Sequence, residues 1–172
     1  MNAHVTHSTN PAMSQTTTAP ARSATHNTFT IERRVKAPAE RVYAAFADPV
    51  AKAKWFAGTT GQWTPDIREF DFRVGGHERL RGTWHTGMVS DFQATYFDIV
   101  PNERIVYTYD MYVNTKKLSV SLATIQVIPE GATTRLVITE QGVFFDGNDD
   151  AANRERGTQG LMDKVVASVE AG

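Results

Sequence analysis

The chain has 172 residues, of which 41% are hydrophobic, and its formal net charge is -1. This size and composition fit one globular domain with a tail. The balanced charge argues against a general nucleic-acid binder, which normally carries a basic surplus on one face. The chain has no cysteine, which excludes disulfides, cysteine nucleophiles and thiolate metal sites. No apolar run approaches the roughly 18 residues of a membrane span, so we expect a cytoplasmic protein that does not enter a membrane.

The first 27 residues differ in composition from the remainder of the chain. Ser, Thr, Ala, Asn and Pro dominate them, and they contain no acidic residue and no lysine. Such a segment buries too little apolar surface to offset the entropy of ordering it. We therefore predict a disordered tail over residues 1–27 and a folded domain over 28–172. The tail lacks the apolar stretch of a secretory signal, and Met13 is an alternative to Met1 as the start of translation.

The folded domain begins with a strand and two short helices. Residues 29–35 place Phe29, Ile31 and Val35 on one side of a strand. A first helix follows from Pro38, which is favourable near a helix N-terminus because proline lacks the N–H that is unbonded there. The Asp48-Pro49 pair ends this helix and opens a second one, for which Gly58 is a suitable stop.

Six further strands follow, separated by short connections rich in turn residues. Glycines 75 and 76 lie between two alternating runs, which is typical of a two-residue hairpin turn. A phosphate-binding loop would instead open a helix, and nothing after Gly76 has helical periodicity. Successive hairpins predict an antiparallel meander, with strands at residues 67–74, 77–86, 88–100, 104–113, 117–128 and 133–141.

A long amphipathic helix is predicted for residues 148–170. Its apolar stripe runs through Leu161, Met162, Val165 and Val169 at spacings of one, three and four residues, and the pattern places Arg154 away from this stripe. Two glycines, at positions 157 and 160, are expected to weaken or kink its beginning. Such a helix must lay its apolar face on the sheet, which gives an α+β two-layer domain.

Four segments of this pattern resemble the START-like or SRPBCC superfamily, and in particular its heat-shock-protein-90 ATPase activator homologue-like (AHSA-type) branch. They read VKAPAERVYAAFADPVAKAKWF at 35–56, FDFRVGGHERLRG at 70–82, FDIVPNERIVYTY at 97–109 and TTRLVITEQGVFF at 133–145. The resemblance covers residues 29–170. It implies a helix-grip fold, in which a curved antiparallel sheet of about seven strands wraps around the long C-terminal helix, with two short helices after the first strand.

The resemblance also implies a cavity between the sheet and the last helix. We expect this cavity to bind a small hydrophobic or aromatic molecule without a cofactor, in a monomer or a homodimer. Apolar pockets with a few convergent polar groups are the usual small-molecule sites. The alternative for each aromatic residue is a place in a filled core. The candidate ligand-binding residues are Trp55, Phe56, Trp63, Phe72, Trp84, Phe92, Tyr107, Tyr109, Phe144 and Met162.

Three ionisable residues are candidates for catalysis: Glu78, Glu140 and His85. Strand parity places Glu78 with Leu80 and Glu140 with Ile138, so both carboxylates are predicted to point inward, where a shifted pKa would suit proton transfer. The alternative is a solvated or Arg-paired acid and a solvent-facing histidine. His85 at the rim could act as a general base. These groups would suit an enzyme of the polyketide cyclase type, the second function that the chemistry allows.

A third function is protein binding, including a stress-related co-chaperone role. It predicts a filled interior and an exposed apolar patch. The segment RGTQGLMD at 156–163 places Thr158 or Leu161 where related sequences often have a large aromatic residue, which would widen the cavity mouth. No metal site is expected, because the histidines lack ligand spacing. The acidic run DGNDD at 146–150 is interpreted as a polar turn and helix cap.

Overall fold

The structure of the chain, a computed structural model, describes residues 22–172. It contains seven strands and three helices. In chain order these are β1 (Ala24–Val35), α1 (Ala39–Ala47), α2 (Pro49–Trp55), β2 (Trp63–Phe70), β3 (His77–Trp84), β4 (Val89–Val100), β5 (Arg104–Val113), β6 (Lys116–Glu130), β7 (Thr133–Phe145) and α3 (Ala151–Glu170).

All seven strands form one antiparallel, curved sheet in the order β1-β7-β6-β5-β4-β3-β2. Strands β2 to β7 form the predicted meander, and β1 pairs with β7 and so becomes the second edge of the sheet. Three breaks in strand register, one of them between Tyr96 and Asp98, bend individual strands. Helix α3 packs across the sheet, so the predicted α+β helix-grip fold is confirmed.

The first strand is longer than the sequence pattern predicts. It begins at Ala24, so residues 24–27, which were assigned to the tail, belong to the sheet and pair with the end of β7. Backbone pairing satisfies main-chain N–H and C=O groups whatever the side chains are, and this is why composition missed the extension. Residues 1–21 of the predicted tail lie outside the described residues.

The connection between β2 and β3 corrects the predicted hairpin. β2 ends at Phe70 instead of Val74, and residues 71–76 form a loop. Gly75 donates its N–H to the Tyr96 carbonyl at 2.8 Å, and the Tyr96 N–H donates to the Gly76 carbonyl at 3.1 Å. Gly75 has a φ of +77°, and a Cβ on Gly76 would lie 2.1 Å from the carbonyl oxygen of Asp71. The glycines therefore turn the chain, but through a six-residue loop.

The helices begin and end at local signals that the sequence contains. The Asp48 carboxylate accepts a hydrogen bond from the Ala51 N–H at 2.7 Å and caps α2, as the Asp48-Pro49 pair predicts. The Asp150 carboxylate caps α3 by accepting from the Asn153 N–H at 2.7 Å. α3 runs without interruption through both glycines, so it is not broken there. No helix in the described part of the chain is long and apolar enough to cross a membrane.

The hydrophobic core lies at one end of the molecule, beneath the C-terminal half of α3. Val165 and Val169 of α3 pack there with buried residues of α1 and of the sheet, including Val42, Phe46 and Leu136. The N-terminal half of α3 lies over a different part of the sheet, which includes Tyr107 and Tyr109 of β5. This division of the domain positions the cavity described next.

Candidate functional site

A cavity of about 1150 Å³ lies between the sheet and the N-terminal half of α3. On the sheet side, Tyr107 and Tyr109 of β5 line it, and their strand neighbours Ala94 on β4 and Ser121 and Ala123 on β6 are small and buried. The interior of this half of the domain is thus not filled, unlike the interior that the protein-binding alternative predicts.

Nine of the ten predicted ligand-binding residues line this cavity, and the exception is Phe144. Phe144 is buried beneath α3, where the guanidinium of Arg154 lies 5.6 Å from the centre of its ring. The chain has three tryptophans, and Trp55, Trp63 and Trp84 are all in the cavity wall. Their fluorescence is therefore a built-in reporter of this space.

Three tyrosines form one side of the cavity, and we call Tyr96, Tyr107 and Tyr109 the cavity tyrosines. Tyr107 and Tyr109 are two residues apart on β5, so both point to the same face of the sheet. Tyr96 on β4 is directly opposite Tyr107, and Ala94 is opposite Tyr109. The ring centre of Tyr107 lies 5.9 Å from that of Tyr96 and 6.1 Å from that of Tyr109, so the three rings form a continuous aromatic surface.

Lys52 and Glu78 form a buried ion pair at one end of this surface. Lys52 Nζ donates to Glu78 Oε2 at 2.5 Å and to the Tyr96 hydroxyl at 3.1 Å, and the Tyr96 hydroxyl donates to the same carboxylate oxygen at 2.5 Å. The Lys52 and Glu78 side chains are only 11% and 5% exposed. Burial lowers the pKa of Lys52, although Glu78 opposes this shift. The amine also lies 5.0 Å from the ring centre of Phe70, which favours its charged form.

Glu140 is the centre of a second buried polar cluster. Its Oε1 accepts hydrogen bonds from the Tyr109 hydroxyl at 2.6 Å and from Ser121 Oγ at 2.9 Å, and Arg154 lies 3.5 Å away. Arg154 reaches in from α3 and also donates to Asp149 at 2.9 Å and to the Tyr109 hydroxyl at 2.7 Å. Every charged group of this cluster therefore has partners inside the protein, as burial of charge requires.

The cavity tyrosines remain protonated over the physiological pH range. Burial raises the pKa of each one, and negative charge on the neighbouring carboxylates adds to the effect, from Glu78 for Tyr96 and from Glu140 for Tyr109. Tyr107 feels both carboxylates and Tyr109. Each hydroxyl can therefore act as a hydrogen-bond donor, in addition to accepting.

Trp63 closes a further part of the wall by lying on two glycines. A Cβ on Gly58 or on Gly82 would come within 2.3 Å or 2.2 Å of the indole ring. The indole N–H groups of Trp63 and Trp84 both point to Ser90 Oγ, at 3.3 Å and 3.2 Å. The two tryptophans are thus held by a shared serine, and Trp63 occupies the space that larger residues at the two glycine positions would take.

The candidate catalytic residues have different locations. Glu78 and Glu140 are buried, as strand parity predicts, and Glu140 lines the cavity. Glu78 does not line the cavity itself, but it bonds to Lys52 and Tyr96, which do. His85 is exposed beyond the end of β3 and does not line the cavity, so the structure does not support it as a general base at the rim. Residues 22–172 contain no cluster of three or more His, Asp or Glu that could hold a metal ion.

Sequence reasoning missed the two buried cations of the cavity wall, Lys52 and Arg154. The helical pattern placed Arg154 away from the apolar stripe, and Lys52 was not considered, since charged side chains are rarely buried. Position offered a signal in each case. Lys52 is three residues before the buried Trp55, and Arg154 is four residues before the buried Thr158, which is four before Met162. This spacing places each charge on the inward face of its helix.

Comparisons with known proteins agree with this architecture. Among solved structures, an uncharacterized protein from Rhizobium leguminosarum is 41% identical, with 88% of this chain and 99% of that chain covered and a TM-score of 0.83. The Mll3558 protein from Rhizobium loti is 42% identical, with 85% and 99% covered and a TM-score of 0.79. An AHSA1-like protein from Aeromonas hydrophila, at 22% identity, shares the fold, with 84% and 93% covered and a TM-score of 0.64.

None of the curated proteins matches the chain significantly. The family described as Activator of Hsp90 ATPase homolog 1-like protein, however, matches residues 36–170. This match includes both short helices, strands β2 to β7 and the whole of α3. The chain therefore belongs to the Activator of Hsp90 ATPase homolog 1-like family, within the SRPBCC superfamily.

Proposed function

We propose that the protein binds a small, largely apolar or aromatic molecule in the cavity between its sheet and the N-terminal half of α3. One observation carries this proposal: ten aromatic side chains line a space of about 1150 Å³, while the buried charged groups beside it are already paired with one another. A wall of this kind rewards apolar surface and does not demand an ionic partner.

The size of the effect can be estimated for a neutral probe, N-phenyl-1-naphthylamine. Burying about 400 Å² of apolar surface contributes about 10 kcal/mol at 25 cal/mol per Å². Association costs about 4 kcal/mol or more. The difference of about 6 kcal/mol corresponds to a Kd of tens of micromolar, which a fluorescence titration measures easily.

The experiment is a titration of the protein with this probe, read as energy transfer from the three tryptophans. A probe in the cavity lies within a few side chains of each indole, so tryptophan emission should fall as probe emission rises. The cavity proposal is contradicted by the absence of energy transfer at probe concentrations ten times the expected Kd.

Two glycines of α3 supply a matched pair of variants. A Cβ on Gly157 or on Gly160 meets no atom within 4 Å, but only Gly157 lines the cavity. The Gly157→Phe side chain should occupy cavity space and weaken probe binding by about tenfold or more, the loss of roughly 60 Å² of buried surface. The Gly160→Phe variant should bind the probe like the wild type. Equal effects of both substitutions would show that the probe binds elsewhere.

A further inference from the structure

The Tyr107 hydroxyl is a polar group of the cavity wall whose bonding differs from that of the paired charged groups around it. The hydroxyl of Tyr107 makes no hydrogen bond to any residue of the described range 22–172, although Tyr96 and Tyr109 on either side are both bonded to carboxylates. Within that same range, no buried side-chain nitrogen or oxygen lacks a partner. The Tyr107 hydroxyl is therefore not enclosed by protein. It faces the cavity, which Tyr107 lines.

The surroundings of this hydroxyl define what it can bind. Its ring is held between the rings of Tyr96 and Tyr109 and 6.5 Å from that of Phe92, so its direction is set by packing. Burial raises the pKa of Tyr107, and the nearby Tyr109 and Glu140 add to this effect. The group is thus a phenol that offers one O–H to an acceptor.

The charges near the hydroxyl disfavour an anionic acceptor. The cations Lys116, Arg156 and Lys164 also line the cavity, but they are exposed and water screens their charge. Among the buried groups, two cations face three carboxylates, which leaves a net charge of 2 − 3 = −1; the residues are Lys52, Arg154, Glu78, Glu140 and Asp149. Both cations already bond to these carboxylates, and a ligand anion would have to be desolvated beside an excess of negative charge. An uncharged acceptor avoids this cost.

We propose that Tyr107 orients the ligand by donating a hydrogen bond to it, and that the ligand is an aromatic molecule with an uncharged acceptor such as a ketone or ester carbonyl oxygen. The aromatic part then lies against Phe92 and the cavity tyrosines. This inference rests on the proposed binding function and adds to it the chemical class of the ligand and the residue that recognises its polar end.

The test uses three probes of the same shape: 2-acetylnaphthalene, 2-ethylnaphthalene and 2-naphthoate. Each competes with N-phenyl-1-naphthylamine for the wild type, for Tyr107→Phe and for Tyr112→Phe. Tyr112 is the control because it lies on the same strand, bonds to Asp110 at 3.4 Å and does not line the cavity. The Tyr107→Phe variant removes one oxygen atom and leaves the aromatic packing in place.

For the wild type we expect the ketone to compete better than the carboxylate. The ratio of ketone to hydrocarbon affinity should fall by about two- to tenfold in Tyr107→Phe, the value of one net hydrogen bond, with hydrocarbon affinity unchanged. It should not fall in Tyr112→Phe. An unchanged ratio in Tyr107→Phe, or a carboxylate that binds more tightly than the ketone, overturns this inference while leaving cavity binding intact. If no naphthalene displaces the reporter from any variant, cavity binding itself fails, and this inference fails with it.

Discussion

The Lys52→Met variant leaves the Glu78 carboxylate buried without its cation. Methionine has nearly the length of lysine and is unbranched, so it keeps most of the packing against Phe56 and Phe70 while removing the charge. The Glu78 side chain is only 5% exposed, and its remaining partner is the Tyr96 hydroxyl. Water therefore has little access with which to replace the missing ammonium group.

The expected cost follows from this burial. Removing one partner of a buried ion pair typically destabilises a protein by about 3–5 kcal/mol, because the other charge remains desolvated. The total stability of a domain of this size is about 5–15 kcal/mol. We therefore expect Lys52→Met to fold, with a much lower urea midpoint than the wild type. Far-ultraviolet circular dichroism and tryptophan fluorescence should report the same transition.

Glu78→Gln and the double variant complete the cycle. The double variant holds no buried charge at this position, so it should recover most of the stability that Lys52→Met loses. Glu78→Gln should become less destabilising, relative to wild type, as pH rises from 7 towards 10. Burial lowers the pKa of Lys52 in the folded state, and this variant lacks the Glu78 carboxylate that opposes the shift. The unfolded state therefore binds more protons than the folded state in that pH range, and stability rises with pH.

An exposed pair on the outer face of the sheet is the control. Lys117 Nζ lies 2.6 Å from Asp110 Oδ2, but these side chains are 38% and 32% exposed. Lys117→Met should cost less than about 1 kcal/mol. The reasoning is refuted if Lys52→Met costs no more than Lys117→Met, since that result would mean that water reaches Glu78 in the folded protein.

Three more predictions concern α3, the sheet surface and the cavity tyrosines. Gly157→Ala and Gly160→Ala should each raise the free energy of unfolding by about 0.5–1 kcal/mol, because helix propensity improves and the added methyl meets no atom within 4 Å; unchanged urea midpoints would contradict this. Partial burial opposes ionisation of Asp91, yet hydrogen bonds from Arg79 and Gln93 hold its pKa below the usual range. That stabilisation is present above about pH 4 and lost as pH falls through the folded-state pKa, so Asp91→Asn should destabilise the protein more at pH 6 than at pH 3 in urea titrations. Burial raises the pKa of the cavity tyrosines, and the stability that this provides is lost as pH rises above about 10. Absorbance at 295 nm should therefore show their ionisation only together with loss of circular dichroism. Titration of all five tyrosines in the native protein would contradict this prediction.

The strands could be predicted because their signal is local. Alternation of apolar and polar residues located β3 to β7 within a few residues of their observed bounds. The same signal failed for β2, where Phe70 and Phe72 alternate but only Phe70 is in the strand. Phe72 lies in the following loop and packs 5.0 Å from the ring of Tyr96. The periodicity there reflects a tertiary contact with β4, which no local pattern distinguishes from a continuing strand.

The aromatic wall of the cavity and its inward carboxylates were predictable, and its buried cations were not. A rule that assigns lysine and arginine to solvent is correct for most positions, and it fails where a partner on another element satisfies the charge. For Lys52 that partner is 26 residues away on β3, and for Arg154 the partner Glu140 is on β7. Only helical spacing, read without regard to polarity, would have found them.

The buried ion pairs explain how a cavity lined by aromatic rings stays open. Apolar walls alone would gain by closing on each other, because collapse removes apolar surface from water. Arg154 is tied at the same time to Ser119, Asp149, Tyr109 and Glu140, so moving α3 onto the sheet would break these bonds at a cost comparable to the apolar gain. The polar clusters thus hold the helix at a fixed distance. A ligand of the class that we propose would then meet a preformed wall and would not bear the cost of ordering it.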